Sequence, residues 1–380
     1  MAGRRSAVGT GPAASALAGR RMPTPDFERM SVLIVDDTRL FRSLILSVFK
    51  SLGIQQIFTA ENGVEAIEFL KLVQSSPERA GTSQIDLIVT DLMMPKMNGL
   101  MLLRWLRLHP TSPDRFVPVI AISGAAETDV VATARDLGAT EIVGKPVSAD
   151  TLASKLLSVV NHPRQFVLAP KYFGPDRRRA ERPFEEERRI LADDSIQVVN
   201  AGDGTKFIRP NAKVVYFRLR NRLKDKIFLG AAYDDLVPQF DPAVLRYAQE
   251  RIQDFAGDYA DWVDDSIRTL QATTMALLDG TGEQPALLRK VAYLALELGS
   301  QGAIFHYPLV SKFGKSLYAL TRSPKHHVID RRYLQLLHAH VDALHTVTTQ
   351  HITGDGGAVG REISAELEKA HRKYGAVLPA

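Results

Sequence analysis

Residues 88–99 read "IVTDLMMPKMNG", and Asp91 is the odd member of the run. Ile88, Val89 and Thr90 are β-formers, and Ile85, Asp86 and Leu87 extend the run backwards into a buried strand. The strand therefore ends in a carboxylate. Beyond it Pro95 cannot continue a strand, and Asn98-Gly99 marks a turn before a new helix. A lone acid at a strand end is either a cap or a ligand, and its surroundings decide which.

Those surroundings are regular. From Ser31 to about Val160 short apolar runs alternate with helical patterns, which predicts parallel βα units. Strands are expected at 32–35, 56–59, 85–90, 117–122 and 141–143, with helices opening after Asp37, Asn62, Asn98, Ala125 and Ser148, each a capping or small residue. Leu40, Leu44, Val48 and Leu52 repeat at helical spacing, and Gly53 is placed to stop that helix. The expected fold is α/β, a doubly wound five-stranded parallel sheet.

Ligands of such a sheet bind where the carboxyl ends of the strands open into a crevice. The residues at those ends are Asp36, Asp37, Asp91, Ser123 and Lys145. Three crowded carboxylates repel one another unless a hard divalent cation sits among them, and oxygen ligands suit Mg2+. The cation can hold a phosphoryl group in turn. Asp91 is then the nucleophile that accepts it as an acyl phosphate, Lys145 balances its charge and Ser123 donates a hydrogen bond.

"LIVDD" at 33–37, "VTDLMMPKMNG" at 89–99, "IAISG" at 120–124 and "VGKP" at 143–146 together resemble the receiver domain of two-component response regulators, a flavodoxin-like fold. The resemblance covers about a third of the chain. It implies phosphorylation of Asp91 by a sensor histidine kinase or phosphotransfer protein. It also implies magnesium ligation by Asp36, Asp37, Asp91 and the backbone carbonyl of Met93, and a cis Lys145-Pro146 bond. The family usually places an aromatic switch residue three before the lysine, where this chain has Ile142. "QSSPERAGTSQ" at 74–84 is longer than the usual loop and reads as a surface insertion without chemistry.

Composition bounds the rest. The chain has 380 residues, 45% hydrophobic, no cysteine and a net charge of +5. Thiol nucleophiles, thiolate metal sites and disulfide scaffolds are excluded. No apolar run is long enough to span a membrane, and a cytoplasmic bacterial protein is expected. Residues 1–29 are small, polar and Arg-dotted, which predicts a disordered tail, and Met1, Met22 and Met30 are all compatible starts. Residues 30–161 form the expected receiver and 162–240 a basic linker or small extended subdomain containing "GPDRRR" at 174–179. Residues 206–226 hold eight Lys or Arg against one acid, Asp225. The reading preferred there is a half-buried strand with a solvated basic face; a DNA-binding regulator is the alternative, and no helix-turn-helix or zinc module supports it.

Residues 241–375 read as an all-α helical bundle. Helices are expected at 284–299, 302–321, 329–350 and 359–373. Leu245, Ala248, Ile252, Phe255, Tyr259 and Trp262 step by three and four, a seam that needs a partner within a bundle or a homodimer. "GDGGAVG" follows a helix and so fails as a dinucleotide loop, and His338, Asp342 and His345 share a face but lack a fourth metal ligand. "ALELGSQGAIFHYPLV" at 295–310 faintly resembles the helix of a histidine-phosphotransfer domain, with Leu296 at the histidine position and Gly299 at the basic one. The other reading is a small-residue contact in which Gly299, Gly302 and Ala303 admit a second helix. The expected protein is a response regulator whose helical half binds an unknown output protein and has no enzymatic role.

Overall fold

The structure is a computed structural model that describes residues 25–124, 128–170, 172–177, 196–201, 214–228, 236–322 and 329–374. Five strands form the first sheet: β1 (Ser31–Val35), β2 (Gln56–Ala60), β3 (Leu87–Asp91), β4 (Val119–Gly124) and β5 (Glu141–Lys145). All pair parallel in the order β2-β1-β3-β4-β5. Val32 to Val35 and Leu87 to Val89 are fully buried, as expected of strands covered on both faces.

The helices of this half are α1 (Arg39–Ser51), α2 (Gly63–Ser75), α3 (Pro77–Ala80), α4 (Gly99–Leu108), α5 (Thr128–Asp136) and α6 (Ala149–Asn161). Asn62, Asn98 and Ser148 cap α2, α4 and α6 with side-chain hydrogen bonds, as their sequence positions imply. The cap of α1 is Thr38 rather than Asp37, and Ala125 lies outside the described residues. The insertion at 74–84 is partly helical: α3 falls within it and buries Ala80. The last residues of the expected disordered tail are also ordered, because Phe27 is buried against Phe240. Residues 1–24 lie outside the described part.

Between the halves is a small sheet of β6 (Phe166–Ala169), β7 (Tyr172–Pro175), β8 (Ile196–Ala201) and β9 (Val214–Leu219), in the order β7-β6-β9-β8. Phe166, Phe173 and Phe217 pack around Phe116. The described part of the basic stretch is thus a buried strand, followed by α7 (Arg222–Phe228). Three of its described cations are ion-paired within the chain, Arg220 with Asp225, Arg222 with Asp114 and Lys226 with Asp86. Residues 206–213 and the last two arginines of "GPDRRR" lie outside the described residues.

The helical half holds α8 (Pro242–Gln253), α9 (Ala256–Leu278), α10 (Gln284–Gln301), α11 (Pro308–Arg322), α12 (Arg331–Thr349) and α13 (Gly357–Tyr374). The Leu245 to Trp262 seam is divided by a break at Asp254-Phe255. Its partner within the chain is the α/β half as well as the bundle: α8 packs on α1 and α6, and Trp262 meets Phe41 edge to face at 5.3 Å. Leu44, Val48 and Leu152 of the α/β half share one core with Ala248, Ile252 and Tyr259. Each such apolar side chain contributes ~1.5–3 kcal/mol on burial, so the two halves are held firmly.

The expected small-residue crossing is present where α10 meets α11. A Cβ on Gly314 would lie 2.5 Å from the Gly299 nitrogen and 2.8 Å from its Cα, both backbone atoms that cannot move aside. Gly314→Ala should therefore cost about 1–3 kcal/mol through overpacking. A lowered urea midpoint at unchanged m-value checks it.

Candidate functional site

The ends of four strands deliver the site. Asp36 and Asp37 follow β1, Asp91 closes β3, Ser123 is the penultimate residue of β4 and Lys145 closes β5. The helix after Asp91 starts close against it, since a Cβ on Gly99 would lie 2.1 Å from the Asp91 carbonyl oxygen. Glycine is required there. Asp36, Asp91, Ser123 and Lys145 are all buried.

Carboxylate oxygens of Asp36, Asp37 and Asp91 lie within 4.8 Å of one another. Lys145 Nζ donates to Asp91 Oδ2 at 2.7 Å, and the Met93 N–H donates to Asp91 Oδ1 at 3.0 Å. Asp36 Oδ1 accepts from the Thr38 N–H at 2.9 Å, whereas Asp36 Oδ2 and Asp37 Oδ1 are buried with no hydrogen-bond partner. Burial raises the pKa of both acids, with added repulsion from Asp91. Burial alone would lower the Lys145 pKa, but Asp91, Glu297 and Asp36 together hold it well above its usual value. Two orphaned carboxylate oxygens beside a third acid fit a hard divalent cation, which would replace the missing partners. The Lys145-Pro146 bond is cis, as expected.

The sequence reading missed two members of this site, both on α10. Glu297 accepts from Lys145 Nζ through Oε1 at 2.8 Å and Oε2 at 2.9 Å. Tyr293, one helical turn earlier, donates its hydroxyl to Asp37 Oδ2 at 2.5 Å. Leu296 lies over Gly124, where a Cβ would come within 2.8 Å of Leu296 Cδ1. Gln301, a turn past Glu297, lines a cavity of about 10 Å3 with Asp36 and Lys145, room for roughly one water. Burial, with the negative charges of Asp91 and Asp37, pushes the Glu297 carboxyl up to about 7 against the pull of Lys145. One signal could have found it: Glu297 is the single acid in the apolar run "YLALELGSQGA", and a charge on a buried helix face needs a partner.

Residues 32–157 match the model of the response regulator receiver domain. Over 129 residues the chain is 33% identical to chemotaxis protein CheY1 of Helicobacter pylori, covering 33% of this chain and 94% of that protein. The chain belongs to the response regulator receiver family. It is also 32% identical over 178 residues to the Regulator of RpoS of Escherichia coli, covering 47% of this chain and 44% of that protein. The chain thus matches less than half of that relative's length. Among solved structures, the receiver domain of a signal transduction histidine kinase from Syntrophus aciditrophicus aligns with 33% of this chain and 86% of that chain, at 30% identity and a TM-score of 0.29. No described helix is long and apolar enough to cross a membrane.

The receiver's Ile142 is half-buried and, like Val130 and Leu137, packs against the core layer that contains Ile88, Val119 and Ala121. In the helical half, His338 is bonded to Thr274 Oγ1 at 3.0 Å and Asp342 is exposed, so that face is a bundle edge. A different histidine pair is buried. His340 Nδ1 meets the Leu336 carbonyl at 2.9 Å, and its Nε2 lies 3.0 Å from Ser316 Oγ and 3.1 Å from His371 Nε2. Nδ1 is therefore the protonated nitrogen and Nε2 the acceptor. Burial first, then the neighbouring His371, lowers the His340 pKa to about 4.

The unfolded chain thus binds a proton on His340 below about 6.5 that the folded chain refuses until about 4. Stability from this residue is complete above pH 6.5 and is lost as pH falls toward 4, by up to about 3 kcal/mol. Urea midpoints across this range should fall more steeply for the wild type than for His340→Gln.

Proposed function

We propose that Asp91 accepts a phosphoryl group from a sensor histidine kinase or phosphotransfer protein, and that the helical half carries the signal to a protein partner in the cytoplasm. The observation that carries this reading is the convergence of three carboxylates, two of them buried, and the Lys145 ammonium at the carboxyl edge of the sheet. An Asp91 carboxylate oxygen attacks phosphorus, an O–P bond forms, and the P–N bond to the donor imidazole breaks with its electron pair on nitrogen. Asp36, Asp37, Asp91 and the Met93 carbonyl would hold magnesium, which neutralises phosphoryl oxygens.

The residues divide the remaining work. The Met93 N–H fixes one Asp91 oxygen, leaving Oδ2 on the Lys145 side. Lys145 balances the charge that arrives, and Ser123, buried one residue from the end of β4, donates to a phosphoryl oxygen. The basic 206–226 stretch is not read as a DNA contact: Val215, Tyr216 and Phe217 are buried, and Arg220, Arg222 and Lys226 are ion-paired within the chain.

A small acyl phosphodonor with magnesium should add one acid-stable, base-labile phosphoryl group per chain. Asp91→Asn, or a chelator with the wild type, should reduce incorporation to background. Label persisting in either sinks the assignment. Ile142 packs without switching, so Ile142→Val should cost about 0.5–1.5 kcal/mol in a denaturant titration and leave the rate and extent of labelling unchanged.

A further inference from the structure

A lysine ammonium has three N–H donors. In this structure three acceptors surround Lys145 Nζ: Asp91 Oδ2 at 2.7 Å, Glu297 Oε1 at 2.8 Å and Glu297 Oε2 at 2.9 Å. No donor remains for a phosphoryl oxygen. The same face of α10 carries Tyr293, whose hydroxyl donates to Oδ2 of Asp37, a member of the acidic cluster. Leu296, between them on that face, lies over Gly124, next to Ser123. One helix face therefore engages the ammonium meant for the phosphoryl oxygens and an acid meant for the cation, and packs beside the residue that follows Ser123.

We propose that α10 is a built-in competitor for the phosphoryl group: docked, it holds the receiver unphosphorylated, and a phosphoryl group on Asp91 displaces it. The inference rests on Asp91 as phosphoacceptor and names how that site is regulated. Two effects act in the same direction. The Glu297 carboxylate takes the Lys145 donors that a phosphoryl oxygen requires, and a phosphoryl group of about two negative charges would lie beside that carboxylate in a buried site, where like charges repel strongly. Electrostatics thus makes the two occupants of Lys145 exclusive. Competition at equilibrium is also reciprocal: whatever docking takes from phosphorylation, phosphorylation takes from docking.

The test uses the full chain, with a small acyl phosphodonor and magnesium. Labelling rates are compared for the wild type, Glu297→Gln and Leu296→Ala. The first variant keeps shape and removes charge; the second keeps the charge and loosens the helix, so a folding defect in one, seen by circular dichroism, leaves the other informative. Both should label at least ten-fold faster than the wild type. Phosphorylation of the wild type should also raise amide hydrogen exchange across 284–301. Asp91→Asn should show neither labelling nor that rise. Equal labelling rates in all three proteins, or unchanged exchange in the labelled wild type, overturn the competitor. So does slower loss of an established label in Glu297→Gln, which would make α10 a promoter of hydrolysis instead. If no protein takes label at all, the phosphoacceptor reading fails and the competitor falls with it.

Discussion

One ammonium group organises this protein. Lys145 is buried among Asp91, Asp36 and Glu297, and its charge offsets the repulsion of carboxylates that would otherwise not coexist at this depth. A buried ion pair is weak evidence for stability, because desolvation of both partners opposes the attraction. Here the more informative quantity is the imbalance. Four carboxylates face one cation, and two of their oxygens have no partner among the described groups. A site in that condition is built for an additional positive charge.

The helical half is placed by a second, independent contact. The α8–α9 seam lies on α1 and α6, with Tyr259 and Ile252 fully buried in a core continuous with Leu44 and Leu152. That contact is apolar and indifferent to charge at the site. It holds α10 within reach of Lys145 whether or not Glu297 is engaged, so the polar clamp works at high effective concentration and needs little intrinsic affinity. The bundle adds rigidity to the clamp through the close α10–α11 crossing at Gly299 and Gly314.

The receiver was almost fully legible in the sequence. Buried parallel strands announce themselves as apolar runs, Asn62, Asn98 and Ser148 cap the helices their spacing implies, and a strand-end acid such as Asp91 is conspicuous because nothing apolar about the strand calls for it. The helical half was legible as helices but not as an arrangement. Periodicity shows that the face from Leu245 to Trp262 is buried and says nothing of what buries it, so α1 of the receiver could not be named as its partner. Glu297 went unread for a related reason. Lys145 lies 152 residues away, and a local pattern carries no information on contacts at that separation.

The placement of Glu297 bears on what a receiver can gain from carrying its own competitor. An occluding segment that filled the site with apolar side chains would leave Lys145 with Asp91 alone, two of its three donors buried without acceptors, and would remove the Tyr293 donor from Asp37, a costly desolvation. A carboxylate avoids part of that cost by giving Lys145 acceptors resembling those the phosphoryl group will provide. The docked and phosphorylated states then differ mainly in which anion the ammonium holds, and the free-energy gap between them narrows. A narrow gap is what lets one phosphoryl group shift the population, since an occupant moves an equilibrium only by its differential affinity for the two states. Tyr293 acts in the same sense on Asp37, as a neutral donor to a carboxylate of the acidic cluster. The chemistry of the competitor thus follows from the chemistry it displaces.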